Sequence, residues 1–204
     1  MKLLTFFALT TVIATASAQW DFEYSYPSVT DSQVGTYVAG MTNMQAVNDG
    51  RNQYFIPIAN GTEAQITYHF PVSGTIADAY VFSHIATYDF GGGRFGFGSL
   101  WGSTNGLNWQ LLMDAPTPSG RIDMGYFYDQ HLPASLLGDD EIWIQTRLQT
   151  SGLNIMAQFS RTDNTVPIQI FQFKADVVPE PTSGALLLCA GALCLRRQCR
   201  SLKS

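Results

Sequence analysis

The strongest constraint on this chain is an alternation of apolar and polar residues with a period of two. In Glu141-Ile142-Trp143-Ile144-Gln145-Thr146-Arg147-Leu148, one side carries Ile142, Ile144, Thr146 and Leu148. Gln65-Ile66-Thr67-Tyr68-His69-Phe70 and Ile168-Gln169-Ile170-Phe171-Gln172-Phe173 alternate in the same way. Such runs of β-branched and aromatic residues predict half-buried strands, because successive side chains in a strand point to opposite faces. Further strands are predicted at 79–83, 95–101, 109–113, 125–128 and 154–159. Turn pairs punctuate them: Asn60-Gly61, Ser73-Gly74, Asn105-Gly106, Ser119-Gly120, Leu137-Gly138 and Ser151-Gly152. No segment shows a long helical period. Many short strands joined by turns point to an all-β, antiparallel β-sandwich of the jelly-roll kind.

The two ends follow different rules. Lys2, an apolar run from Leu3 to Ala14 and Ala16-Ser17-Ala18 have the form of a secretory signal peptide over residues 1–18, with cleavage expected after Ala18. Residues 19–177 then form one domain, large enough to bury about two-thirds of its unfolded surface without a disulfide. Its cations are Arg51, Arg94, Arg121, Arg147, Arg161 and Lys174, and acids outnumber them. A chain of net charge −5 with no basic patch is a poor partner for nucleic acid. The cysteines, Cys189, Cys194 and Cys199, all lie beyond the domain, with no histidine at a zinc-binding spacing.

Residues 178–204 read as a tail. Pro179, Glu180 and Pro181 form a stiff extended stretch, since proline resists both helix and sheet. An apolar run from Ala185 to Leu195 follows, then Arg196, Arg197, Arg200 and Lys203. The run partitions into lipid and the arginines resist crossing it. It is shorter than the ~17 residues of a stable span, which favours transient membrane contact over anchoring. This tail resembles the PEP-CTERM sorting signal. The resemblance implies recognition of Pro179, Glu180 and Pro181 by an exosortase-type membrane enzyme, with Arg196 and Arg197 as the stop. It also implies a bacterial cell-envelope or extracellular-matrix location and a link to exopolysaccharide.

Within the domain, Ser103-Thr104-Asn105-Gly106-Leu107-Asn108-Trp109 is the most informative stretch. Asn-Gly predicts a type I′ hairpin, with positive φ at both central residues. Trp101 and Trp109 flank it. The segment is similar to the S-x-D-G-x-x-W hairpin of galactose-binding-like jelly rolls and discoidin-type modules. Ala46-Val47-Asn48-Asp49-Gly50 looks like their early Asp-Gly loop, and Leu132-Pro133 with Leu137-Gly138 like their late strand entry. The resemblance implies that Asp49 is a candidate ligand of a structural calcium, which prefers oxygen donors. An ordinary turn aspartate accounts for the same residue. No other cofactor is expected.

Trp101, Trp109, Trp143 and Tyr126 are candidate sugar-stacking residues, because flat rings offer apolar area at low entropy cost. Core packing is the competing account of each. Trp143 lies opposite the core side of its strand, so exposure is expected. Gly91-Gly92-Gly93-Arg94-Phe95-Gly96 matches the letters G-x-G-x-x-G, but a strand rather than a helix is predicted after it, which excludes a dinucleotide site. His69, His84 and His131 accompany no catalytic motif. The expectation is an exported, non-catalytic carbohydrate-binding module. A structural or adhesive envelope protein is the first alternative and a glycan hydrolase the second.

Overall fold

The computed structural model describes residues 20–26, 36–48, 52–88, 96–116, 123–150, 155–163, 166–167 and 171–180. In chain order the strands are β1 (Phe22–Tyr26), β2 (Val38–Thr42), β3 (Met44–Asn48), β4 (Asn52–Pro57), β5 (Ala64–Pro71), β6 (Thr75–Tyr88) and β7 (Phe97–Ser103). There follow β8 (Gln110–Pro116), β9 (Asp123–His131), β10 (Glu141–Gln149), β11 (Ile155–Asp163), β12 (Val166–Pro167) and β13 (Phe171–Val178). A 3-10 turn, η1 (Ala134–Leu136), lies between β9 and β10.

The strands form two antiparallel sheets. One has five strands in the order β2-β5-β10-β7-β8. The other has eight and is organised around the long strand β6. β9 lines one edge of β6. Along the other edge β13 pairs with its first part and β11 with its last residues. The chain passes repeatedly from one sheet to the other, so this is the jelly-roll β-sandwich that the alternation and turns predict. Among the described residues no helix is long and apolar enough to cross a membrane.

The core is where the two apolar faces meet. β5 buries Ala64, Ile66, Tyr68 and Phe70, and β10 buries Ile142, Ile144, Thr146 and Leu148. These are the faces predicted from period two. Opposite them β13 presents Phe171, Phe173 and Ala175. The rings interleave across the gap: Tyr68 stacks on Phe171 and Phe70 on Phe173, both at 4.3 Å between centroids. Each fully buried aromatic of this kind contributes about 1.5–3 kcal/mol relative to exposure.

Several details differ from the sequence reading. The segment expected at 79–83 is the middle of a strand of 14 residues. Its length survives a β-bulge: Asp78 pairs with Asp176, but Ile76 pairs with Val177, leaving Ala77 over. The extra residue lets Ile76 and Ala79 both face inward despite their odd spacing. His84 therefore lies inside β6 and is buried, not at a strand end. The strand expected from Ile168 is described from Phe171 onward, and residues 168–170 lie outside the described residues. A strand, β7, follows Gly96, which accords with the rejection of a dinucleotide site.

The type I′ hairpin is also corrected. Gly106 has φ +67°, but Asn105 does not share the positive φ that this turn demands. The loop between β7 and β8 is longer than two residues and is built on the Asn105 side chain. Its Oδ1 accepts from the backbone N–H of Leu107 and of Asn108, both at 2.9 Å. Ser103 Oγ donates to the same oxygen and accepts from Asn105 N. The side chain stands in for the backbone bonds of a tight turn. The one described non-glycine residue with positive φ is Asn43 (φ +50°), which ties the β2–β3 corner to Ala59 and Thr62 through its amide.

Candidate functional site

The inward face of β10 belongs to the core; on its other face Glu141, Trp143 and Arg147 are half-buried and Gln145 is buried among its neighbours. The register places His69 beside Trp143, Thr67 beside Gln145 and Gln65 beside Arg147 on β5. On β7 it places Ser103, Trp101 and Ser99 beside the same three residues of β10. Three neighbouring strands thus gather planar and polar side chains on one outer surface.

These side chains form a connected array. Gln145 Nε2 donates to Thr67 Oγ1 at 2.8 Å and to Gln65 Oε1 at 3.3 Å. Gln145 Oε1 accepts from Arg147 Nε at 2.6 Å. The Arg147 guanidinium lies over the Trp101 ring, 4.6 Å from its centroid, in a cation–π contact. Trp101 Nε1 donates to Ser99 Oγ at 2.8 Å. At the far end of β10, His69 stacks on Trp143 at 3.8 Å, and its Nε2 meets Glu141 Oε2 at 2.8 Å. A hollow of about 150 Å³ beside His69, bounded by Thr36, Tyr37, Val38, Ala39 and Pro71, continues the surface toward β2.

The four sequence candidates fare differently. Trp101 is half-buried and closes the β7 side of the array under Arg147. Trp143 lies on the outer side, as its strand position implies, yet it is half-buried rather than open. A Cβ on Gly106 would stand 3.2, 3.3 and 3.4 Å from three atoms of its indole, so the loop at Gly106 closes on the ring. With His69 on one face and Gly106 on the other, Trp143 acts as a post and not as a platform. Trp109 is half-buried just before β8, outside the array. Tyr126 on β9 packs against the core and donates its hydroxyl to the Pro116 carbonyl. Asp49, Pro181, Arg196 and Arg197 lie outside the described residues. Pro179 and Glu180 are exposed directly after β13. Among the described residues, no group of three or more His, Cys, Asp or Glu side chains is placed to hold a metal ion.

Gln65, Thr67, His69, Gln145 and Arg147 were missed as site residues. The signal was present, since the alternation that buries Ile66 and Ile144 turns these residues outward together.

The electrostatics of the array centre on Glu141. The buried Trp143 Nε1 closes no hydrogen bond of ordinary geometry. It nonetheless lies near enough to be the leading influence holding the Glu141 carboxyl below its usual 4.5, followed by the hydrogen bond with His69. A carboxyl depressed on folding adds stability above its unfolded value, and that stability is lost as pH falls through the folded value. The wild-type urea midpoint should therefore drop more steeply below pH 4.5 than that of Glu141→Gln. Equal acid limbs in the two proteins would remove Glu141 from this role.

The outer face of the eight-stranded sheet differs in kind. Phe127 is 57% exposed and stacks on His84, while His131 is paired with Asp78 at 2.8 Å. It offers aromatic area and a histidine–carboxylate pair.

No protein-family model matches the chain, and neither does any curated protein. Solved structures with a similar course of the chain include the enzymatically active domain of tailspike protein 4 of bacteriophage CBA120. It matches at 11% identity and a TM-score of 0.41, over 70% of this chain and 20% of that one. Another is the C-terminal CBM6 of LamC, a marine laminarinase from Zobellia galactanivorans, at 12% identity and a TM-score of 0.33, over 75% of this chain and 98% of that one. A third is infectious bursal disease virus, Gt strain, at 9% identity and a TM-score of 0.35, over 87% of this chain and 42% of that one. The chain spans a fifth of the length of the tailspike chain. These likenesses transfer no site residue to this chain.

Proposed function

We propose that this chain is an exported, non-catalytic carbohydrate-binding protein of the cell envelope or extracellular matrix, and that the outer face of the five-stranded sheet is its binding surface. The observation that carries the reading is the continuous array from Gln65 and Thr67 through Gln145 and Arg147 to Trp101. Sugars present vicinal hydroxyls and apolar C–H faces. Planar amides and guanidinium groups match the former, and an indole matches the latter. The array is also tied together before any ligand arrives, so little ordering entropy is left to lose on binding.

Export rests on the signal-like residues 1–18 and on the tail from 178 to 204. In this reading an exosortase-type enzyme handles the tail at Pro179, Glu180 and Pro181, with transient membrane contact through the apolar run. A structural or adhesive role is the second reading. It is favoured by Phe97 and Leu111, 46% and 42% exposed, on β7 and on the edge strand β8.

Isothermal titration of the full chain with purified extracellular polysaccharide of the producing bacterium tests the first reading. Saturable binding is expected, weakened about tenfold or more by Trp101→Ala and by Gln145→Ala, a loss of about 1.4 kcal/mol each. Wild-type silence at millimolar sugar, with concentration-dependent assembly instead, would favour the second reading.

A further inference from the structure

We infer that the array selects glycans that carry carboxylates, and that a uronic-acid carboxylate is held by the outer nitrogens of the Arg147 guanidinium. This rests on the outer sheet face being a glycan surface, and it names the class of glycan.

Among the described residues Arg147 differs from Lys174 in having no acidic partner. The described ion pairs join His69 to Glu141, His131 to Asp78 and Lys174 to Glu23, and none of them involves Arg147. Its Nε is committed to Gln145 Oε1, and its guanidinium carbon stands over the Trp101 ring, 4.6 Å from the centroid. The Nη groups are left as the unused side of a planar fork, which matches the two oxygens of a carboxylate. The side chain is held from two sides, so the fork is oriented before binding. That limits the rotamer entropy a free arginine would lose.

The acids on this face are engaged elsewhere or distant. Glu63 stands just before β5 and is the nearest in register, yet its Oε1 accepts from Gln65 Nε2 at 2.5 Å. Glu141 lies six residues along β10, about 20 Å away at the rise of an extended strand, and answers to His69. Asp114 on β8 pairs with Ser99, which puts it two strands from Arg147, about 10 Å. A lone oriented cation beside an indole suits an acidic sugar, whose C–H face meets the ring while its carboxylate meets the fork. A neutral sugar would use the ring and the amides and leave the charge idle.

The test is a titration of the full chain with oligomers of galacturonate, glucuronate and mannuronate, each beside its methyl ester. The ester keeps the skeleton and removes the charge. At least one acidic oligomer should bind about tenfold or more tighter than its ester, as a charge-assisted hydrogen bond implies. The preference should fall with added salt and vanish in Arg147→Gln. Arg147→Lys should keep part of it, and Glu63→Gln should strengthen binding of the acid. Thermal unfolding of each variant separates misfolding from lost contact. Equal binding of acid and ester overturns this inference and leaves the glycan reading standing. A preference that survives in a folded Arg147→Gln also overturns it. Binding of neither form, with no binding of the native polysaccharide, overturns both.

Discussion

Replacing Phe171 by alanine is expected to lower the unfolding free energy by about 3–5 kcal/mol. In a domain of this size that corresponds to a fall of about 10 °C or more in Tm. Phe171 is fully buried at the start of β13 and stacks on Tyr68 at 4.3 Å, with Phe70 parallel to it at 5.9 Å. Its ring joins the two sheets, and the neighbouring rings are held by strands that cannot close a gap. The loss is therefore both apolar burial and an unfilled cavity. Phe171→Leu keeps much of the volume and should cost less than half as much. Urea denaturation of both variants measures this. Equal, small losses would mean that the sheets collapse onto the vacated site and that the stack is not what fixes their spacing.

Gly74→Ala should be the second large effect, about 3 kcal/mol or more. Gly74 has φ +136°, a conformation that a residue with a side chain adopts only under strain of about 1–3 kcal/mol. An added Cβ would also stand 2.5 Å from the Val178 carbonyl oxygen and 3.1 Å from Pro179 Cα. These are backbone atoms and cannot swing aside, so either the β5–β6 turn or the end of β13 must move. Movement there would disturb the bond from Val177 N to Asp21 Oδ2 and the close of the β13–β6 ladder. Thermal unfolding gives the magnitude, and proteolysis after β13 shows whether the end of the strand is released. A variant as stable and as protected as the wild type would show that the turn has an alternative course.

What could be read from the chain beforehand follows from which interactions are local. β5 and β10 were legible to within a residue because each lies between a dry and a wet face, which writes period two into the sequence. β2 was not. Its residues are exposed apart from Val38, so an edge strand of this sort leaves no alternation to find. The bulge in β6 was hidden for a related reason: Ile76 and Ala79 break the period, and only the partner strand β13 explains why. Asn105-Gly106 marked a turn correctly but not its type, because the Asn105 side chain competes with the backbone for the same donors. At the candidate site, the side on which Trp143 stands was legible. Its covering by His69 and Gly106 was not, since those residues come from a different strand and from a loop. Arg147 was visible as a scarce cation, but its orientation depends on Gln145 and Trp101 acting together.

The first and last strands have a mechanical consequence. β1 is an edge strand beside β13, and Phe22 at its start pairs with Ala175 near the end of β13, so the chain enters and leaves at one pole of the sandwich. Tension between these two ends would unzip β1 one rung at a time, at low force. Tension between residue 178 and a load borne on the five-stranded sheet would instead drag β13 lengthwise between two neighbours, straining all its rungs at once. The pairing thus resists lengthwise drag on β13 far better than separation of β1 from its open edge.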